Sequence, residues 1–229
     1  MALRNPRLSL HVHDIAKRKV VKTDLEPLSQ YLWEQTESTR QKALATYFVQ
    51  GVGKGNLNPT AFGGFMVQDS VYCYKAKGSI DVAASRAQEG DLKAYLQKES
   101  GSYESYYQDL FTKWHIKDAT GIDLDPACQS YAEYEHLVAS TKDTIYMIVA
   151  MIPCMKLWPW LGQQLQTFNH GVYTDWYNAN FDPTYDGYKQ LDEFVDTAGT
   201  TIDKETALKV YSRCMEGEYE FFNSAQLMM

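Results

Sequence analysis

The sequence predicts an all-α domain of about eight helices. Apolar residues recur at intervals of three and four along most of the 229-residue chain, which is the period of one buried helix face. No segment shows sustained alternation of apolar and polar side chains, the pattern of a half-buried strand. No tract rich in Pro, Gly and Ser divides the chain, so one helical domain, residues 25–229, is expected after an N-terminal arm, residues 1–24.

The first predicted helix covers residues 28–48, where Leu32, Leu44 and Phe48 lie on one side. The segment VGKGNLNP follows it. We interpret this segment as a connection between helices, because it lacks the Gly-Lys-Ser/Thr ending of a phosphate-binding loop and no strand precedes it. Pro59 suits the first turn of the next helix. The further predicted helices are 60–87, 91–114, 128–138 continuing into 144–161, 171–180, 185–196 and 204–227.

The composition limits the classes of partner. The formal net charge is −7, whereas a nucleic-acid-binding protein needs a basic stripe for phosphate groups, so no nucleic-acid partner is expected. The chain contains 17 Tyr, 9 Phe and 5 Trp. Tyrosine suits pockets and interfaces because its ring is apolar and its hydroxyl group is polar. The acidic balance is compatible with a cationic small-molecule ligand, although such a balance commonly serves solubility.

The four cysteines are interpreted as reduced thiols in a cytoplasmic protein. They form no CxxC pair, their spacing suggests no metal ribbon, and a chain of this length does not need disulfide bonds to fold. The N-terminal arm is basic and lacks the apolar core of a secretory signal. Its alternative interpretation is a mitochondrial presequence, because it contains arginine and few acidic residues.

The most apolar stretch of the chain is 144–161, TIYMIVAMIPCMKLWPWL. It is long enough to span a membrane, but Lys156, two prolines and the lack of flanking basic loops favour a buried helix, so no membrane partner is expected. Pro153 removes one intrahelical hydrogen bond and tends to bend the axis. Cys154 follows it directly, so this helix is either the floor of a pocket that carries a thiol or ordinary core.

Two carboxylates stand on predicted apolar helix faces. Asp69 shares its face with Phe65 and Tyr72, and Glu218 shares its face with Phe222. A buried carboxylate is costly unless it has a partner, so both residues are candidates for a site. A cysteine nucleophile needs a neighbouring acid or base, and a carboxylate could serve here because no histidine has the sequence context of a Cys–His protease.

Metal chemistry is the rival class of function. Glu133 and His136 form an ExxH pair, the spacing that di-iron helix bundles use. Such a site needs a second pair, and the chain has none. Because this second pair is missing, a metal-dependent oxidase that uses Glu133 and His136 is kept only as the alternative function. No metal or cofactor is assigned to the main site, and a non-catalytic ligand-binding protein is the third interpretation.

Four blocks, in this order, resemble the TenA (thiaminase II) family: FVQGVGKGNLNPTAFGGFMVQDSVY, MIPCMKLWPWLG, VYTDWY and GEYEFF. The resemblance extends from about residue 32 to residue 225, nearly the whole chain after the arm. It implies the all-α haem-oxygenase-like fold, a homotetramer and a thiamin-related small-molecule substrate.

The resemblance also implies roles for individual residues. Cys154 matches the family's nucleophilic cysteine, which places the chain in the cysteine-bearing branch, and Glu218 matches the acidic residue that shuttles a proton. Asp69 matches the aspartate that holds the aminopyrimidine ring. The remaining substrate-binding residues implied are Tyr72, Tyr131, Phe65, Trp158 and Asn180. Tyr131 matches a tyrosine that poises the cysteine.

Trp158 and Asn180 depart from the family pattern, because relatives carry tyrosine at both positions. The implied reaction is cleavage of the C–N bond between the aminopyrimidine methylene group and the thiazole, or an amine, of thiamin or its degradation products. It proceeds through a covalent cysteine adduct. The acceptor is water or another nucleophile, as in base exchange of the thiaminase I type, and the two departures bear on that choice because a lost hydroxyl group changes discrimination.

Overall fold

The computed structural model describes residues 26–228, with the side chains of residues 200 and 228 excepted. This part of the chain contains ten α-helices and no strand, which confirms the all-α prediction. The N-terminal arm lies outside the described residues. The helices are α1 Leu28–Gln35, α2 Glu37–Leu44, α3 Tyr47–Gly53, α4 Pro59–Arg86, α5 Asp91–Lys113, α6 Pro126–Thr141, α7 Ile145–Leu165, α8 Thr174–Asn180, α9 Tyr188–Thr197 and α10 Lys204–Ser224. Short 3-10 turns occupy Ala119–Gly121, Gly171–Tyr173, Gly199–Thr201 and Ala225–Met228.

The helix count exceeds about eight mainly because the first predicted helix is three helices, α1 to α3. Breaks fall at Thr36 and at Ala45–Thr46. The Thr46 side chain caps α3 by accepting a hydrogen bond from the backbone N–H of Val49. The apolar period continues across both breaks because the three helices bury the same side of the chain, so the sequence pattern does not reveal the turns.

The sequence predicts that VGKGNLNP is a connection between helices, and that prediction is wrong for its first two residues. Helix α3 continues through Gly51 and Gly53. Both glycines serve close packing, because a Cβ on Gly51 would lie 2.9 Å from the Leu57 side chain and one on Gly53 would lie 2.8 Å from that of Leu165. Of the three glycines at positions 51, 53 and 55, only Gly55, with φ of +68°, needs the conformational freedom of glycine. The connection is the shorter segment 54–58.

Helix α7 forms the centre of the core and contains the apolar stretch. It runs through Pro153 and Pro159 without interruption. By length and composition it could cross a membrane, but 72% of its most apolar window is buried among other helices of the domain, as in a core helix of a folded protein. Its charged residue, Lys156, pairs with Asp192 of α9 at 2.7 Å.

Two glycines bring the helices that carry the candidate site residues into close contact. A Cβ on Gly217 of α10 would lie 2.5 Å from the ring of Tyr131, so the absence of a side chain lets α6 approach α10 beside Glu218. A Cβ on Gly162 of α7 would lie 1.7 Å from the carbonyl oxygen of Phe181. This contact holds the end of α8, and therefore Asn180, against α7.

Candidate active site

A cavity of about 380 Å³ opens between α4, α5, α7, α8 and α10. Six of the eight residues that the sequence singled out line it. They are Asp69, Tyr72, Cys154, Trp158, Asn180 and Glu218. The cavity ranges from an inner end of buried side chains, with Glu218 only 2% exposed, to an outer end where Tyr106 and Tyr185 are about 40% exposed.

The other two predicted residues, Phe65 and Tyr131, stand behind the cavity wall. The ring of Phe65 stacks on that of Phe221, with centroids 4.5 Å apart. The ring of Tyr131 stacks on that of Tyr72, with centroids 4.9 Å apart and an interplanar angle of 27°. Phe65 and Tyr131 therefore support side chains that line the cavity, and they are not part of its lining.

Cys154 is the least buried of the four cysteines, since Cys73, Cys128 and Cys214 are buried. It sits on α7 directly after Pro153 and lines the cavity. Burial raises the pKa of the Cys154 thiol well above its ordinary value, and the charge of Glu218 raises it further. Cys154 is therefore a neutral thiol at rest and needs a base to become a nucleophile.

Glu218 of α10 is held by hydrogen bonds at both carboxylate oxygens. The phenol of Tyr131 donates to Oε1 at 2.9 Å, and the indole Nε1 of Trp158 donates to Oε2 at 2.8 Å. Burial raises the pKa of Glu218, while hydrogen bonds from Trp158, Tyr131 and the Cys154 thiol oppose that rise. A fixed carboxylate with a raised pKa beside a thiol has the geometry of a general base.

Asp69 of α4 is 4% exposed and lines the same cavity. Burial raises its pKa to about 7, and the charge of Glu218 adds to that rise. Within residues 26–228 no protein group donates a hydrogen bond to its carboxyl group. Near neutral pH, Asp69 can therefore bind a ligand either as a carboxylate that accepts a hydrogen bond or as an acid that donates a proton.

Asn180 closes the outer end of the cavity by a contact between two helices. Its Oδ1 accepts a 3.0 Å hydrogen bond from the phenol of Tyr106 on α5. Its Nδ2 donates to the backbone carbonyl of Trp176 at 2.8 Å. Asn180 thus fixes the position of a tyrosine hydroxyl group that comes from a different helix.

The face of α5 that lines the cavity is not among the predicted site residues. Glu99, Ser102, Tyr103 and Tyr106 recur there at helical spacing, which was a detectable signal. Asp182 and Tyr185 join them from the segment after α8. Among the described residues, no Lys, Arg or His lines this cavity, so its lining is acidic and aromatic.

Glu135 of α6 is a second buried residue that the sequence did not reveal. This carboxylate is 2% exposed, whereas its neighbours Glu133 and His136 are exposed. Glu133 and His136 instead line a separate cavity with Lys75, away from Cys154. In the described part of the chain, no three His, Cys, Asp or Glu side chains are grouped so as to hold a metal ion.

The sequence model of the TENA/THI-4/PQQC family matches residues 33–227. The thiamine biosynthesis multifunctional protein ThiED of Corynebacterium efficiens is 23% identical over 214 residues, which cover 87% of this chain and 28% of ThiED. The bifunctional TH2 protein, mitochondrial, of Arabidopsis thaliana is 23% identical over 240 residues, which cover 90% of this chain and 38% of TH2. The chain thus spans about a third of the length of the curated relatives it matches.

Solved structures of similar proteins share the fold. A TenA homologue from P. horikoshii OT3 superposes with a TM-score of 0.77 at 17% identity, covering 88% of this chain and 99% of that protein. A TenA homologue from Pyrococcus furiosus gives a TM-score of 0.74 at 17% identity, covering 86% and 99%. At this level of identity the similarity shows that the helical fold is the same.

Proposed function

Because the chain belongs to the TENA/THI-4/PQQC family, we propose that it is an enzyme of thiamin metabolism that cleaves a C–N bond. The bond joins the aminopyrimidine methylene group to the thiazole, or to an amine, of thiamin or its degradation products. The observation that carries the proposal is the position of Cys154 beside Glu218, whose carboxylate Tyr131 and Trp158 hold in place.

The first step transfers the thiol proton of Cys154 to the carboxylate of Glu218. The thiolate then adds to a carbon of the pyrimidine ring, so an S–C bond forms and the ring loses its aromaticity. The ring nitrogen takes up the displaced electron pair and accepts a proton from Asp69, which holds the N/NH2 edge. The pKa of Asp69, raised to about 7, supports this role because an ordinary aspartate would carry no proton at neutral pH.

The second step expels the leaving group from the exocyclic methylene carbon. The C–N electron pair leaves with the nitrogen, so a thiazolium departs as a neutral thiazole, while an amine takes a proton from Glu218. Glu218 has by then given its proton to the departing amine or, when a thiazole departs, to solvent.

Water or aniline adds to the methylene carbon and gives a proton to Glu218. Pyridine adds without a proton to give, and Glu218 is then reprotonated from solvent. The ring nitrogen returns its proton to Asp69, and its electron pair expels the sulfur, which restores aromaticity. The released thiolate takes a proton from Glu218, so Cys154 returns to its resting thiol.

The charge of the cavity supports a cationic substrate. Asp69 and Glu218 are buried members of the lining, and Glu99 and Asp182 are less buried members. No Lys, Arg or His accompanies them in the described lining. The aromatic lining attracts a cation through the faces of its rings. The same charges disfavour a phosphate group, so we expect free thiamin to be preferred over its phosphate esters.

The reaction is tested by chromatography of thiamin incubated with the full chain, with and without pyridine or aniline. Release of the thiazole together with a hydroxymethyl pyrimidine supports water as the acceptor. Release together with a pyridinium or anilino adduct supports an organic acceptor. Binding of thiamin in calorimetry without any product would contradict the proposed cleavage and favour a non-catalytic binding protein.

A further inference from the structure

Glu135 is a second buried carboxylate that the proposed mechanism does not use. It lies one helical turn after Tyr131 on α6 and is 2% exposed. Its Oε2 is buried and has no hydrogen-bond partner within residues 26–228. No Lys, Arg or His of the described residues forms an ion pair with it. A bare charge in such a position would be costly, so the surroundings favour a neutral carboxyl group.

Titratable groups on α4, α5, α6, α7 and α10 lie near Glu135, and none of these groups is a cation. Those close enough to interact are Tyr72 and Cys73 of α4, Tyr103 of α5, Cys128 and Tyr131 of α6, Cys154 of α7, and Cys214 and Glu218 of α10. Each of them becomes harder to ionise when Glu135 is negative. The charge of Glu135 is therefore felt at both proposed catalytic groups.

A pair of stacked tyrosines connects the two buried glutamates. The phenol of Tyr72 interacts with Glu135 closely enough to lower its pKa, and the ring of Tyr72 stacks on that of Tyr131 with centroids 4.9 Å apart. The phenol of Tyr131 in turn donates to Glu218 at 2.9 Å. The arrangement places one carboxyl group on each side of the tyrosine pair, with only Glu218 reaching the cavity.

We propose that Glu135 is a positioning residue that stays protonated behind the cavity wall. Its neutral carboxyl group keeps the α6 side of the site uncharged while the Cys154 thiol passes its proton to Glu218. This inference rests on the proposed function for its catalytic consequence. The proton of Glu135 is not transferred during the reaction. Ionisation of Glu135 adds a negative charge next to the forming thiolate and slows its formation.

The pKa of Glu135 falls within a pH range in which the folded protein can be studied. Burial raises its pKa to about 8, the charge of Glu218 adds to the rise, and the interaction with Tyr72 opposes it. Below that pH the carboxyl group is neutral. Above it, the new charge raises the pKa of Cys154, and each unit of that rise lowers the thiolate fraction roughly tenfold.

The test is the rate of alkylation of Cys154 by iodoacetamide from about pH 6 to about pH 10, read by peptide mass spectrometry. Cys154 is the cysteine to follow because the other three are buried. The variant is Glu135→Gln, which keeps the shape of the neutral acid. Glu133→Gln, an exposed change on the same helix, is the matched control. Glu135→Leu is a second uncharged variant in case the amide disturbs folding.

We expect Glu135→Gln and Glu135→Leu to alkylate several-fold faster than the wild type above about pH 8 and at the same rate near pH 6. Glu133→Gln should follow the wild type throughout. Identical alkylation profiles for the wild type and both Glu135 variants would overturn the inference. Because alkylation needs no turnover, a protein without thiaminase activity that still shows this difference would defeat the proposed function and leave the inference standing.

Discussion

The indole Nε1 of Trp158 donates a 2.8 Å hydrogen bond to Oε2 of Glu218. Trp158 lies one turn after Cys154 on α7, so the indole and the thiol face α10 from the same side of one helix. Rings of Phe181 and Phe222 pack against the indole with centroids 5.4 and 5.5 Å away and fix its orientation. Trp158, one of the two positions at which the family resemblance leads us to expect tyrosine, is therefore a hydrogen-bond donor to the proposed base.

Trp158→Phe should lower kcat about tenfold, because a hydrogen bond to a charged group is lost. It should also move the acidic limb of the pH–rate profile to higher pH, since this bond lowers the pKa of Glu218. The measurement is kcat for thiamin cleavage across the pH range. Trp158→Tyr, which restores a donor, should recover part of the rate. An unchanged limb in Trp158→Phe would show that the indole does not tune Glu218.

Tyr106→Phe should raise KM several-fold and leave kcat nearly unchanged, because it removes the hydroxyl group that Asn180 holds at the outer end of the cavity. Asn180→Ala should have the same effect by releasing that hydroxyl group. Steady-state kinetics with each acceptor measure both values. Tyr74→Phe is the control, since Tyr74 is exposed and lies outside the cavity lining. A fall in kcat alone would contradict a binding role for this pair.

Glu135→Gln should stabilise the protein at alkaline pH and have little effect near pH 5. The folded-state pKa of Glu135 is raised to about 8 from an ordinary 4.5, so the wild type loses stability as pH rises from about 4.5 to about 8. The amide escapes this loss. We expect a gain on the order of 2 kcal/mol near pH 9, measured by urea unfolding. A gain of equal size at pH 5 would contradict the assignment.

Gly217→Ala should destabilise the fold by about 1–3 kcal/mol, because its Cβ would lie 2.5 Å from the Tyr131 ring. Activity per folded molecule should also fall, since Tyr131 must move away from Glu218. The matched control is Gly78→Ala in α4, where no atom lies within 4 Å of the new Cβ, and it should stabilise by about 0.5–1 kcal/mol. Thermal unfolding and kcat of both variants test this. Equal stability for the two would contradict the close contact of α6 and α10.

The sequence was sufficient to predict the fold class because the helical spacing of apolar residues continues even across the breaks between α1, α2 and α3. It could not reveal the breaks at Thr36 and Thr46, since the same side is buried before and after each turn. The sequence also indicated Asp69 and Glu218, because a carboxylate on an apolar face stands out. It could not distinguish a residue that lines the cavity from one that supports the lining. Phe65, which supports the lining, is apolar and buried, and so is Phe221, which lines the cavity.

The residues that the sequence did not reveal were obscured by ordinary surface patterns. The tyrosines and Glu99 on α5 recur at helical spacing, but the same pattern suits a solvated helix face. The packing of α5 against α4 is needed to show that these residues border a cavity. Glu135 lies inside the Glu133–His136 pattern, and that exposed pair suggested a metal site on the wrong face of α6. Burial, which the local sequence does not specify, distinguishes these cases.

The most direct test of the proposed function is kcat/KM for thiamin cleavage by Cys154→Ser. If the Cys154 thiol is the nucleophile, the variant should lose at least about 10³-fold, because a serine hydroxyl group is far less acidic than a thiol and Glu218 cannot activate it comparably. Cys128→Ala, which removes a buried thiol outside the cavity lining, should retain the wild-type value per folded molecule. A Cys154→Ser variant that folds and keeps kcat/KM within about tenfold of the wild type would contradict the account.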